Sequence, residues 1–61
     1  MDLKAIRKSA GLTRKELAMA AKVSPMTIYR YENGMRIPTV GPARRIAKVL
    51  GFSWMKFFEK S

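Results

Sequence analysis

Sixty-one residues suffice for one compact domain, but a chain of about 60 residues buries only about 60% of the surface its unfolded form exposes, so its stability is modest and a partner subunit can add to it. Thirteen Lys and Arg against four Asp and Glu give a formal charge of +9, a field that recruits polyanions and makes nucleic acid and anionic membrane the leading partners. With no Cys and no His, disulfides, thiolate chemistry and Cys-based zinc sites are excluded, and the commonest metal ligand and acid/base group is missing. No metal and no cofactor is expected.

The N-terminus lacks the apolar run of a signal peptide, and no stretch approaches the roughly 20 apolar residues needed to cross a bilayer, so a cytoplasmic location is expected. Basic residues are spread from Lys4 to Lys60 with no linker or low-complexity tract between them, which reads as a single domain over residues 1–61.

Leu3, Ile6 and Ala10 fall at i, i+3 and i+7, with Lys4, Arg7 and Lys8 between them, and Gly11 stops this first short amphipathic helix. Thr13-Arg14-Lys15-Glu16 then makes a capping box, in which the Thr13 hydroxyl and the Glu16 carboxylate each accept from a free backbone N–H. Leu12 before the cap and Leu17 after it form a hydrophobic staple. The same grammar recurs with Val23, Ser24, Pro25 and Ile28, so a third helix of about Pro25 to Tyr31 starts just beyond the turn Ala21-Lys22-Val23. Asn33-Gly34 ends it, because glycine takes a positive φ without strain.

Met35 to Pro38 read as a loop, and Thr39 as the cap of a fourth helix with Ala43, Ile46, Ala47 and Leu50 inward and Arg44, Arg45 and Lys48 in water. Gly51 closes that helix. Ser53 offers a cap for a fifth, carrying Trp54, Met55, Phe57 and Phe58, with Phe52 placed to staple onto Phe57. No segment alternates with the period of a strand. The expected fold is all-α, a compact bundle of five short helices.

Two helices joined by a turn of three to four residues, the second opening on small and polar side chains, is the helix-turn-helix arrangement that places a helix in the major groove. On the third helix Ile28, Tyr31 and Glu32 share one side, Met26, Arg30 and Asn33 the other, with Thr27 and Tyr29 at the flanks. Arg30 can donate a bidentate pair to guanine O6 and N7, and Met26 and the Thr27 methyl suit the thymine methyl. Helix N-termini meet phosphates, which nominates Thr13, Arg14, Lys15 and Ser24, with Lys22 in the turn beside them; Asn33 at the far end of the third helix and Arg36 in the loop are further phosphate candidates.

The joint pattern Leu12-Thr13-Arg14-Lys15-Glu16-Leu17-Ala18, Val23-Ser24, Ile28, Glu32-Asn33-Gly34, Pro38 and Ala47-Lys48-Val49-Leu50-Gly51 resembles the lambda-repressor-like (Cro/repressor, XRE) helix-turn-helix family, from Leu3 to about Ser53. That resemblance implies a five-helix bundle of a prokaryotic or phage regulator that binds double-stranded DNA as a homodimer, mostly to repress transcription. By position it puts Pro25, Met26, Thr27 and Arg30 at base-reading sites, Tyr29 at one that touches backbone or base, and Arg14, Met35 and Arg36 at phosphate-contacting ones. Pro25 departs from the pattern, since many relatives carry a hydrogen-bonding side chain there, and the ligand-sensing or oligomerisation domain of longer repressors is not in this sequence. A stand-alone Cro-like regulator and a fragment of something longer fit equally well.

Arg7 matches a position that in some members pairs with the glutamate of the Glu-Asn-Gly motif, and a half-buried Glu32 needs a cation on physical grounds, so an Arg7 to Glu32 ion pair is expected. Trp54, Phe57 and Phe58 hold half of the aromatic residues. They either close the core against the first helix or form part of a two-fold dimer interface.

Two other classes compete. A basic amphipathic peptide on anionic membrane has the same charge and stripes but no need of repeated caps, and a protein-interaction module such as an antitoxin or anti-repressor can share the fold. An enzyme is not expected, and neither is a small-molecule substrate. Glu16 serves a cap, Glu32 an ion pair, and Asp2 and Glu59 lie near the ends, so no converging acid/base pair is left, nor is there a phosphate-cradling or nucleophile motif.

Overall fold

The computed structural model describes residues 1–59; Lys60, the last of the basic residues in the sequence, lies outside the described residues. The elements are α1 (Leu3–Ser9), α2 (Arg14–Ala21), α3 (Pro25–Glu32), α4 (Val40–Leu50) and a 3₁₀ helix (Trp54–Phe58). They pack into a body of 27 × 20 × 19 Å. No strand occurs among the described residues, and none of their helices is long and apolar enough to cross a membrane.

Local chemistry sets the first three starts. Asp2 accepts from Ala5 N at 3.1 Å, Thr13 from Glu16 N at 3.1 Å while Glu16 accepts from Thr13 N at 2.8 Å, and Ser24 from Thr27 N at 3.1 Å. Each bond satisfies an amide that the helix itself leaves open. The ends of α1 and α4 are turned by Gly11 and Gly51 at positive φ.

Leu17, Ile28 and Ile46 are the large side chains fully shut from solvent, one each from α2, α3 and α4, and Leu3, Ala18, Ala21, Ala43 and Ala47 complete the interior. The alanines let the helices approach closely. Leu12 and Val23, the residues before the two caps, pack on this core, which fixes the entry of α2 and α3.

The structure corrects the sequence reading at the C-terminal end. The fifth element is a 3₁₀ helix rather than an α-helix, so the bundle has four α-helices and one 3₁₀ helix. Its five residues are few for α-helical turns, Ser53 supplies no capping bond, and a repeat of three sets Trp54 and Phe57 on one side, where Phe57 packs on the core and Trp54 is half-buried. Thr39 likewise makes no side-chain capping bond to α4. Ala10, expected on the apolar stripe, lies beyond α1 and is exposed, whereas Arg7, set between the apolar positions, is buried.

Candidate nucleic-acid interface

The turn between α2 and α3 comprises Lys22, Val23 and Ser24, and Lys22 takes a left-handed conformation, φ 58° and ψ 43°. This residue swings the chain so that α3 crosses α2 and lays Ile28 on Leu17 and Ala18 within one core. Arg45 of α4 reaches across and donates from Nε to the Ala21 carbonyl at 2.7 Å. It satisfies an open acceptor at the end of α2 and ties the turn to the body. Neither the left-handed lysine nor the Arg45 bond was foreseen, since one departs from the glycine preference and the other joins residues 24 apart in sequence.

The opposite end of α3 is held by charge. The Glu32 side chain is only 1% accessible, and both its oxygens are engaged: Arg7 Nε donates to Oε2 at 2.6 Å and Arg14 Nε to Oε1 at 2.9 Å. Arg7 also donates from Nη1 to the Leu12 carbonyl at 2.8 Å. Burial alone would raise the Glu32 pKa, but the hydrogen bonds from Arg7 and Arg14 and their positive charges outweigh it and hold the carboxyl below its ordinary value. One carboxylate therefore joins α1, the start of α2 and the end of α3. The Arg7 to Glu32 pair was expected; the second arginine was not.

With that side anchored, α3 turns its other side outward. Met26 is 55% exposed, Arg30 and Asn33 are exposed, Thr27 is half-buried, and Tyr29 is 38% exposed at the flank. Some of these side chains also serve the helix. The Ser24 and Thr27 hydroxyls lie 2.8 Å apart, and Asn33 Nδ2 donates to the Tyr29 carbonyl at 2.8 Å. Arg14, expected at a phosphate, places its guanidinium carbon 5.1 Å from the Tyr29 ring centroid while bound to Glu32.

An open groove runs between α1 and the two helices of the motif. Thr13, Arg14, Lys15, Pro25, Met26 and Tyr29 line it, together with Lys4 and Lys8 of α1, two cations to which the sequence assigns no contact. Arg36 is apart from these, in a cleft shared with Tyr31, Ile37 and Phe57. Lys22 is exposed at the turn, and so is Ser24 beside it.

The aromatic end divides. Phe57 packs on the core and meets Phe52 at a tilt, with a centroid distance of 5.5 Å. Trp54 and Phe58 meet edge to face at 5.9 Å, and Phe58 is 45% exposed with Met55 beyond it at 58%. Among the described residues no three acidic side chains gather as a metal site.

A short α2, a tight turn and a second helix anchored inward by Ile28 and Glu32 and bare on its far edge define a helix-turn-helix domain. The helix-turn-helix family model matches residues 3–57, and the chain belongs to this family, in its lambda-repressor-like (XRE) branch. Over 57 residues it is 40% identical to the "Uncharacterized HTH-type transcriptional regulator YqaF" of Bacillus subtilis (strain 168), an alignment covering 93% of this chain and 75% of that relative. No solved structure matches the chain.

Proposed function

We propose that this chain is a DNA-binding transcriptional regulator, a repressor of the Cro type, that reads duplex DNA by placing α3 in the major groove. The observation that carries the reading is the outward edge of α3, where Met26 and Arg30 stand exposed on a helix whose inner side is locked by Ile28 and the buried Glu32. A rigid helix with a bare, hydrogen-bonding edge is what base readout requires. Membership in the helix-turn-helix family and the likeness to a relative described as a transcriptional regulator support it.

In this reading Arg30 contacts guanine, Met26 and Thr27 meet thymine methyl groups, Pro25 shapes the start of the helix, and Tyr29 touches base or backbone. Thr13, Lys15, Lys22, Ser24, Asn33 and Arg36 fix the register on the phosphates. In this reading residues 1–61 form one DNA-binding domain that works in the cytoplasm of a prokaryote or in a phage-infected cell. It binds as a homodimer on DNA, with the exposed Phe58 and Met55 and the half-buried Trp54 meeting their counterparts across a two-fold axis, since exposed apolar side chains gathered in one place are the signature of such contacts. Phe57, committed to the core, supports that surface from beneath.

Selection of binding sites from random duplex DNA with the purified protein tests the function. Enrichment of a two-fold sequence with halves about one helical turn apart is expected. Recovery of unrelated sequences at equal affinity contradicts it.

A further inference from the structure

We propose that Arg14 is a positioning residue for sequence readout, held by Glu32 so that it fixes the ring of Tyr29 at the edge of the reading helix; the proposal rests on the DNA-reading role of α3. The geometry runs as a chain from the interior outward. Glu32, 1% accessible, receives Arg7 Nε at one oxygen and Arg14 Nε at the other, and the Arg14 guanidinium then lies over Tyr29 at 5.1 Å.

Each link constrains the next. Glu32 cannot shift without unpairing a buried charge. Arg14 is the first residue of α2, where a cation meets the positive end of its own helix, so the Glu32 carboxylate offsets that repulsion and sets where the guanidinium sits. Tyr29 is 38% exposed, and an unrestrained exposed ring samples several rotamers that binding would have to freeze. A planar cation over one face removes part of that freedom before DNA arrives. Tyr29 lines the same groove as Pro25 and Met26, so its orientation bears on the start of α3, where base contacts begin.

A second arrangement of the same residues, in which Arg14 acts as a phosphate clamp, makes opposite demands. A clamp needs charge and is indifferent to Tyr29. A positioning residue needs the Nε donor and the flat guanidinium, which lysine lacks.

The experiment is a double-mutant cycle at positions 14 and 29, reading affinity for the selected duplex, affinity for a scrambled duplex, and the salt dependence of both. Arg14→Lys and Tyr29→Ala are each expected to weaken the selected duplex by about three- to tenfold, and the double variant to be within about twofold of Tyr29→Ala alone. No coupling between the positions is expected on the scrambled duplex. Tyr29→Phe, which keeps the ring, retains the coupling, and thermal melts establish that each variant is folded. Wild-type affinity in Arg14→Lys, or losses that multiply in the double variant, overturns the proposal. A wild-type protein that does not distinguish the two duplexes instead overturns the DNA reading of α3, a separate failure.

Discussion

The two halves of this molecule are secured by different chemistry. In the N-terminal half every helix starts on a side-chain cap, and a buried carboxylate with two arginines joins α1, α2 and α3. In the C-terminal half neither Thr39 nor Ser53 makes a capping bond; apart from the Arg45 bond to the Ala21 carbonyl, α4 and the 3₁₀ helix are kept in place by Ile46, Ala43, Ala47 and tilted and edge-to-face aromatic rings. Directional bonds fix orientation; apolar contact fixes proximity. The half proposed to hold a reading helix at a set angle carries most of the directional bonds, and the half proposed to meet a second copy carries exposed apolar surface.

The largest expected effect is in the ion network. Glu32→Ala leaves Arg7 buried without its carboxylate and is expected to lower stability by about 3–5 kcal/mol, a large share of what a domain this small has, measured by urea unfolding. A loss below about 1 kcal/mol would mean that the network orders the helices without stabilising them. The same group sets an acid limb. Its folded pKa lies below its unfolded one, so its contribution is complete above the ordinary glutamate value of 4.5 and is lost as pH falls through the depressed value. Melting temperature against pH should therefore fall more steeply below 4.5 in the wild type than in Glu32→Gln; parallel curves would contradict the assignment.

Smaller differences sharpen the contrast between the halves. Thr13→Ala is expected to cost about 1 kcal/mol, whereas Thr39→Ala, with no capping bond to lose, costs less than about 0.5. Equal losses would erase the distinction. Least of all, Lys22→Gly relieves a left-handed backbone at a small cost in unfolded-chain entropy, for a net gain of at most about 1 kcal/mol. A loss in that variant would show that the Lys22 side chain, not its backbone, matters to the fold.

The difference between the halves also governs what the sequence disclosed. Caps and staples are local, with partners three to five residues apart, so α2 and α3 were legible almost to the residue, with α3 ending at Glu32 instead of Tyr31. Glu32 sat on the inner side of its helix and called for a cation, and the resemblance to the lambda-repressor-like family pointed to Arg7 as that cation. Arg14 was not, because it lies at the start of a helix where phosphate contact is the ordinary inference, and its two contacts with α3 are tertiary. The 3₁₀ helix escaped for the opposite reason: Ser53 resembles a cap, and the packing of Phe57 on the core, which decides how tightly the chain winds, is tertiary. Lys4 and Lys8 belong to a groove that exists only once α1 lies beside α3.

The central claim, that the bare edge of α3 reads bases, is tested most directly by comparing the binding preferences of the wild type and Arg30→Ala on duplexes that vary one base pair at a time within the selected site. A loss of about 1–3 kcal/mol is expected, confined in its sequence effect to one base pair per half-site, with the salt slope changed little. A uniform weakening across all sequences with a flatter salt slope would instead make Arg30 a phosphate contact and take the reading edge off α3.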